Sequence, residues 1–276
     1  MIVESIMKRF GLAQRKISRC LGISRSTLRY QRKQNDDYQI VSEIKTIIEE
    51  HPKYGCQMIG LKLRQTRKIN HKRVERLYAE NNLQIKNRKT RKKYLVTKRA
   101  AHQLSEIPEK WVAIDFVIDS VGYKKPLKML TVVDPVTKEV PLITPAFSMN
   151  GEEVTKQLDK VVELNGPFRY LQTDNGSEFR SHELEKWCEK NNVLHVFSRP
   201  GKPTDNCFIE SFNRILRNEC LNLYYFVDLN NAREIIEKWR IDYNICRPQK
   251  GLKGLTPNQY KNKLLRRKPN LNSGRI

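Results

Sequence analysis

Long apolar runs are what this sequence most plainly lacks. Its longest, around residues 112–114 and 193–197, break off within a few positions, whereas a membrane-spanning helix needs about 20 apolar residues. Cysteine is sparse and irregularly placed: Cys20, Cys56, Cys188, Cys207, Cys220 and Cys246 form no C-x-x-C pair, and the five histidines do not alternate with them. That spacing argues against a zinc cluster and against a disulfide framework, so reduced thiols packed as small apolar residues are expected. The opening MIVESIMKRF mixes acids and bases before any apolar stretch of signal-peptide length. A soluble, intracellular protein is the expectation. Acidic residues are also few, 30 against 53 Lys and Arg in 276 residues, for a net charge of +23. Such an excess calls for a polyanionic partner, nucleic acid first, because counterions released from phosphates drive binding to a basic surface.

The excess is unevenly spread. Residues 1–104 carry 26 basic and 8 acidic side chains, residues 105–220 carry 15 and 18, and residues 221–276 carry 12 and 4. Two basic ends flank an electrostatically ordinary middle, which suggests that the ends grip the polyanion while the centre folds and does chemistry. Within the first end, residues 14–21 form a helical pattern, Gly22 suits a turn, and Ser24 can cap a helix running to Gln31. That second helix would turn Arg25 and Arg29 outward, toward base edges and phosphates. The region 1–34 thus reads as a helix-turn-helix. A second helical module spans 38–85: Ile40, Ile44, Ile47 and Ile48 make one stripe, a helix covers about 57–66, and Asn70 caps another that exposes Lys72, Arg73 and Arg76. The segment 86–104 is a basic linker in which residues 86–99 hold eight basic side chains and no acid. It reads equally as a solvated tether or as a strap along DNA through residues such as Lys89 and Lys92.

The middle reads as a mixed α/β sheet. Strands are expected at 111–118, 128–133, 138–143, 168–173 and 193–197, with helices around 154–162, 182–191 and 206–221 between and after them. Three acids stand out. Asp115 interrupts the apolar first strand, where a carboxylate is costly unless paired or bound to a cation. Asp174 ends the fourth strand, and Glu210 lies one turn into the last helix. Hard oxygen ligands of this kind suit magnesium, and two ions held by a few carboxylates can stabilise both the attacking and the leaving oxygen of a phosphodiester. Asp119 and Asp134 compete with Asp115, but both sit beside turn signals. Glu178 competes with Asp174, and Asp205 with Glu210; the first suits a helix start and the second a helix cap.

The stretches LQTDNGSEF at 171–179, SRPGKPTDNCFIESFNRILRNE at 198–219 and YNICRPQKGLKGLTP at 243–257 resemble bacterial insertion-sequence transposases of the Asp-Asp-Glu type, the second-reading-frame, integrase-core family. Tyr54-Gly55 and NHKRVERLY at 70–78 are similar to that family's upstream helical module. Thirty-five residues separate Asp174 from Glu210. The resemblance, over about residues 38–260, implies a ribonuclease-H-like mixed-sheet catalytic core at 105–222, preceded by the helix-turn-helix modules and followed by a basic C-terminal extension at 223–276. It implies that Asp115, Asp174 and Glu210 are catalytic and hold two Mg2+ ions, with Mn2+ able to substitute. Asn175, Lys202, Asn206, Arg214 and Arg217 would contact DNA around them. Implied partners are double-stranded DNA, as terminal inverted repeats and as target, further copies of the chain, and the product of an upstream reading frame. The activity implied is DNA strand cleavage and transfer; a non-catalytic regulator of transposition and a hydrolysis-only nuclease are the alternatives. Three departures mark this chain: Phe116-Val117 follows the first acid, Arg217 stands where the family has Lys, and Gln249 where it has His.

Overall fold

A computed structural model describes residues 9, 11, 13–29, 36–85, 110–123, 125–198 and 206–267. The chain divides into two compact units, Met1–Glu43 and Ile44–Ile276.

In the first unit, α1 (Gln14–Leu21) buries Ile17 and ends at Gly22, whose left-handed φ of 63° closes the turn. Ser18 Oγ donates to the Ile23 carbonyl across that turn at 2.6 Å. Ser24 then caps α2 (Arg25–Arg29) by accepting from the Thr27 amide at 3.1 Å, as expected from the sequence. Ile2, Ile6 and Phe10, which recur at helical spacing in the sequence, lie outside the described residues. The unit boundary falls within α3 (Asp37–Glu50).

In the second unit the rest of α3 is followed by α4 (Cys56–Thr66) and α5 (His71–Glu80). Their buried residues Ile59, Leu63, Val74, Leu77 and Tyr78 recur at helical spacing. Asn70 caps α5, its Oδ1 accepting from the Lys72 amide at 3.1 Å.

A five-stranded sheet follows: β1 (Trp111–Val121), β2 (Lys125–Val133), β3 (Leu142–Ala146), β4 (Tyr170–Thr173) and β5 (Leu194–Phe197), in the spatial order β3-β2-β1-β4-β5. The first three strands are antiparallel neighbours, and β4 and β5 run parallel to β1. Alternation along β1 assigns each face its layer. Ala113, Val117 and Val121 point toward α8 (Cys207–Leu216) and α9 (Leu229–Ile245). Val112 and Ile114 point toward α6 (Gly151–Asn165) and α7 (His182–Lys190). A mixed sheet with its first three strands antiparallel, the next two parallel, and helices on both faces is the ribonuclease-H-like α/β arrangement. The chain ends its described part with α10 (Pro257–Arg267).

The third strand lies four residues later than the sequence suggests. Residues 134–139 form a turn in which the Asp134 amide donates to the Glu139 carbonyl at 2.9 Å and Lys138 adopts a left-handed φ of 60°. The backbone of Val140 is then taken by Asn244 of α9, which accepts from its amide and donates to its carbonyl, both at 2.9 Å. An apolar stretch whose ladder groups are already satisfied by a side chain cannot enter the sheet, so pairing resumes only at Leu142.

Candidate active site

The sheet brings two of the three acids level. Trp111 pairs with Tyr170 and Ala113 with Gln172 in parallel register, so two residues further on Asp115 lies beside Asp174, just past the end of β4. Glu210 projects from α8, and its charge is felt at Asp115. Asp115 is half-buried, and its carboxyl is pushed up to about 6 by burial first, with the charges of Asp174 and Glu210 acting in the same direction. Hydrogen bonds from the Phe116 amide to Oδ1 at 2.8 Å and from Asn213 Nδ2 to Oδ2 at 2.7 Å oppose that rise. Asp174 Oδ1 accepts from the Gly176 amide at 2.9 Å, and a Cβ at residue 176 would stand 3.0 Å from that same oxygen. Glycine there leaves the carboxylate its space. Glu210 is exposed and makes no hydrogen bond among the described residues. As the side chains stand, no three His, Cys, Asp or Glu side chains among the described residues are grouped closely enough to hold a metal ion.

Two residues that were not anticipated organise the site. Buried Thr131 on β2 shares its one Oγ1 proton between the Asp115 carbonyl and Asn213 Oδ1, each at 3.0 Å. Asn213 thereby links the helix of Glu210 to the strand of Asp115. It shares a helix side with Glu210, a signal that could have marked it; a threonine inside an apolar strand gives no comparable mark.

The competing acids have other employment. Asp119 Oδ1 accepts from the Ser120 amide at 2.8 Å. Asp134 accepts from the Val136 and Thr137 amides and from the Thr137 hydroxyl, holding the turn before β3. Glu178 is paired with Lys128, whose hydrogen bond is the main reason its carboxyl is held below the usual range. Asp205 lies outside the described residues.

The residues expected to contact DNA are differently placed. Arg214 is exposed one turn beyond Glu210, whereas Arg217 donates to the Ile118 carbonyl at 2.9 Å and so ties the helix to β1. Asn175 donates to the Ser198 carbonyl at 2.7 Å and accepts from Arg180 at 2.8 Å, bridging the ends of β4 and β5. Asn206 stands at the start of α8 and is only 8% exposed; its Oδ1 has no partner among the described residues. In the helical modules Arg25 and Lys72 are exposed, Arg73 is half-buried, and Arg76 pairs with Glu80 at 2.9 Å. Arg29 closes α2. Lys89, Lys92 and Lys202 lie outside the described residues.

Comparison with known proteins bears on what this arrangement serves. Residues 105–203 and 191–257 each match an integrase core domain, and residues 34–92 match an HTH-like domain. The chain is 34% identical to the uncharacterized 31.7 kDa protein of insertion element IS407 from Burkholderia multivorans, over 94% of each chain. The chain belongs to the insertion-element transposase family with an integrase core. A second relative, the uncharacterized 39.2 kDa protein of insertion element IS476 from Xanthomonas euvesicatoria, is 32% identical over 94% of this chain and 75% of its own. A transposase-like protein of Haemophilus influenzae is 28% identical over 74% of this chain and 98% of its own. As a transposase with an HTH-like domain and an integrase core, the protein binds DNA and acts in DNA transposition. Among its described residues no helix is long and apolar enough to cross a membrane, and all six cysteines are free.

If α2 reads bases, Arg25→Ala should lower the transposase's preference for inverted-repeat over scrambled DNA roughly tenfold, since a bidentate Arg–guanine contact carries about 1–3 kcal/mol of discrimination. Paired titrations at one fixed salt concentration measure it. Equal weakening toward both DNAs would make Arg25 a phosphate contact and move base reading to α5.

Proposed function

We propose that this transposase cleaves the ends of its insertion element and joins them to target DNA by metal-dependent phosphoryl transfer, with Asp115, Asp174 and Glu210 as the catalytic acids. The observation that carries the reading is Asp115, in the middle of an apolar strand, level with Asp174 across the parallel β1–β4 pair, with the charge of Glu210 on α8 felt at Asp115. Burial raises the Asp115 carboxyl to about 6, and the charges of Asp174 and Glu210 add to that rise. Packing like charges together with no basic side chain bonded to Asp115 or Glu210 among the described residues is unfavourable by itself and is relieved by a cation.

The donors are all hard carboxylate oxygens, which fits magnesium, with manganese as a substitute. When bound, a pair of such ions supplies Lewis-acid stabilisation of the attacking and leaving oxygens. The protein's own part is positional. Thr131 and Asn213 fix the Asp115 carboxylate through its backbone carbonyl and Oδ2. The Gly176 amide orients Asp174, and exposed Glu210 completes the set from the solvent side. Arg214, one turn on, is placed to meet a phosphate flanking the scissile bond. Water and then a DNA 3′-hydroxyl serve as nucleophiles, with no covalent link to the enzyme. The active form is an assembly of several copies on the two element ends, with or without an upstream-frame product joined to it.

The test is incubation of the full chain with labelled DNA carrying the inverted repeats that flank its gene, with magnesium or manganese. Both cleaved ends and joined products are expected. Cleavage without joining would make the protein a nuclease, and binding without cleavage a regulator.

A further inference from the structure

Beyond the acids, a buried ion pair fastens the helix of Glu210 to the HTH-like module. After Leu216 the helix continues as a π-helical turn, Arg217–Leu221, which carries Glu219. Arg247, just past the end of α9 and 7% exposed, grips both oxygens of Glu219 at 2.6 and 2.7 Å, and its remaining terminal nitrogen donates to Gln249 Oε1 at 3.1 Å. The guanidinium lies between two rings, Tyr243 with its centroid at 5.5 Å and Tyr54 at 5.9 Å. Tyr54, 3% exposed, belongs to the loop that leads into α4 of the HTH-like module. His51 stacks on it at 4.3 Å and stands 3.7 Å from Asp242. A parallel tie runs from Lys62 Nζ to the Cys246 carbonyl at 3.0 Å.

The helix of Glu210 is therefore held at three levels: Asn213 to Asp115 and Thr131, Arg217 to Ile118, and Glu219 to Arg247. Glu210 itself has no bond that could place it, so where its carboxylate lies depends on how the helix is seated. A buried ion pair is poor evidence of stability, because well-packed apolar residues of similar volume commonly serve as well or better. What a bidentate Arg–carboxylate fork adds is a fixed geometry. We propose that Arg247 and Glu219 are positioning residues for strand cleavage, seating the Glu210 helix against the Tyr54 loop of the HTH-like module. This rests on the reading of Glu210 as catalytic. It joins the HTH-like module and the site by a continuous run of contacts.

The test separates positioning from mere support. In the full-length protein, the double substitution Glu219→Leu with Arg247→Met removes the fork and keeps the volume. Its melting temperature should be at or above that of the unmodified chain and its affinity for inverted-repeat DNA unchanged. Its kcat for cleavage should fall by at least about tenfold, since small misplacements of catalytic groups cost up to about a hundredfold. An unchanged kcat overturns the proposal; so does a fall in kcat accompanied by matching losses of melting temperature and affinity, which is what a supporting pair would give. Arg247→Lys keeps the charge and loses the fork, and it decides the matter by the same comparison if the double variant does not fold. Glu210→Gln, assayed alongside, keeps the two readings apart. Full activity there would sink the catalytic role of Glu210, whereas an inactive Glu210→Gln beside a fully active double variant would sink only the positioning.

Discussion

Strand cleavage should fall by about three orders of magnitude or more in each of Asp115→Asn, Asp174→Asn and Glu210→Gln, while affinity for inverted-repeat DNA stays within a few-fold. Each change removes one negative charge and almost no volume. The loss therefore falls on the electrostatics of the site: divalent ions contribute several kcal/mol to phosphoryl transfer, and each 1.36 kcal/mol is a tenfold change in rate. Binding is spared because the basic ends, not the acids, attract DNA. Single-turnover cleavage with saturating protein, beside a binding titration in the same buffer, measures both quantities. Normal cleavage by Asp115→Asn together with an inactive Asp119→Asn would move the first-strand acid by four residues. Asp119 lies on the same face of β1 as Asp115, so this alternative is sterically open. Against it stands the position of Asp115 level with Asp174 across the parallel β1–β4 pair.

What the sequence made legible follows from where its signals are local. Apolar runs bounded by turn residues located β1, β2, β4 and β5, because half-buried strands must alternate and turns need particular residues. Caps at Ser24 and Asn70 were readable because each side chain bonds its own backbone two or three residues ahead. What stayed hidden depends on contacts between distant residues. Residues 138–143 look like a strand, yet Asn244, about a hundred residues away, takes the backbone groups of Val140. Thr131 and Asn213 meet Asp115 only in the folded sheet. Arg217 and Asn175 each bond to a carbonyl of the chain itself, a tie that nothing near them in the sequence announces. Arg247 lies in the C-terminal stretch that resembles the family, and nothing local to it announces the carboxylate it holds 28 residues away.

The same Asp115→Asn that abolishes cleavage should stabilise the metal-free protein at neutral pH. The Asp115 carboxyl lies at about 6 in the folded chain against an ordinary 3.8. Between those values the folded state binds a proton that the unfolded state has released, so this group's contribution to stability falls as pH rises through the window from about 4 to about 6. Above it the full penalty remains, on the order of 2 kcal/mol once the partly solvated position of the side chain is allowed for. Asparagine carries no charge to desolvate. Its Oδ1 can keep the Phe116 amide, and Asn213 can rotate its amide to accept from the new Nδ2 while donating to Thr131, whose hydroxyl still has the residue 115 carbonyl. No buried group is then left without a partner. Thermal melts of unmodified and substituted chains in chelator should converge near pH 4 and separate by pH 7, with the variant higher. Magnesium at pH 7 should raise the melting temperature of the unmodified chain and much less that of the variant, because a ligand stabilises only the state that binds it. Equal melting at pH 7 in chelator would mean that Asp115 is not strained by its surroundings. The accumulated charge would then no longer argue for a cation at this site.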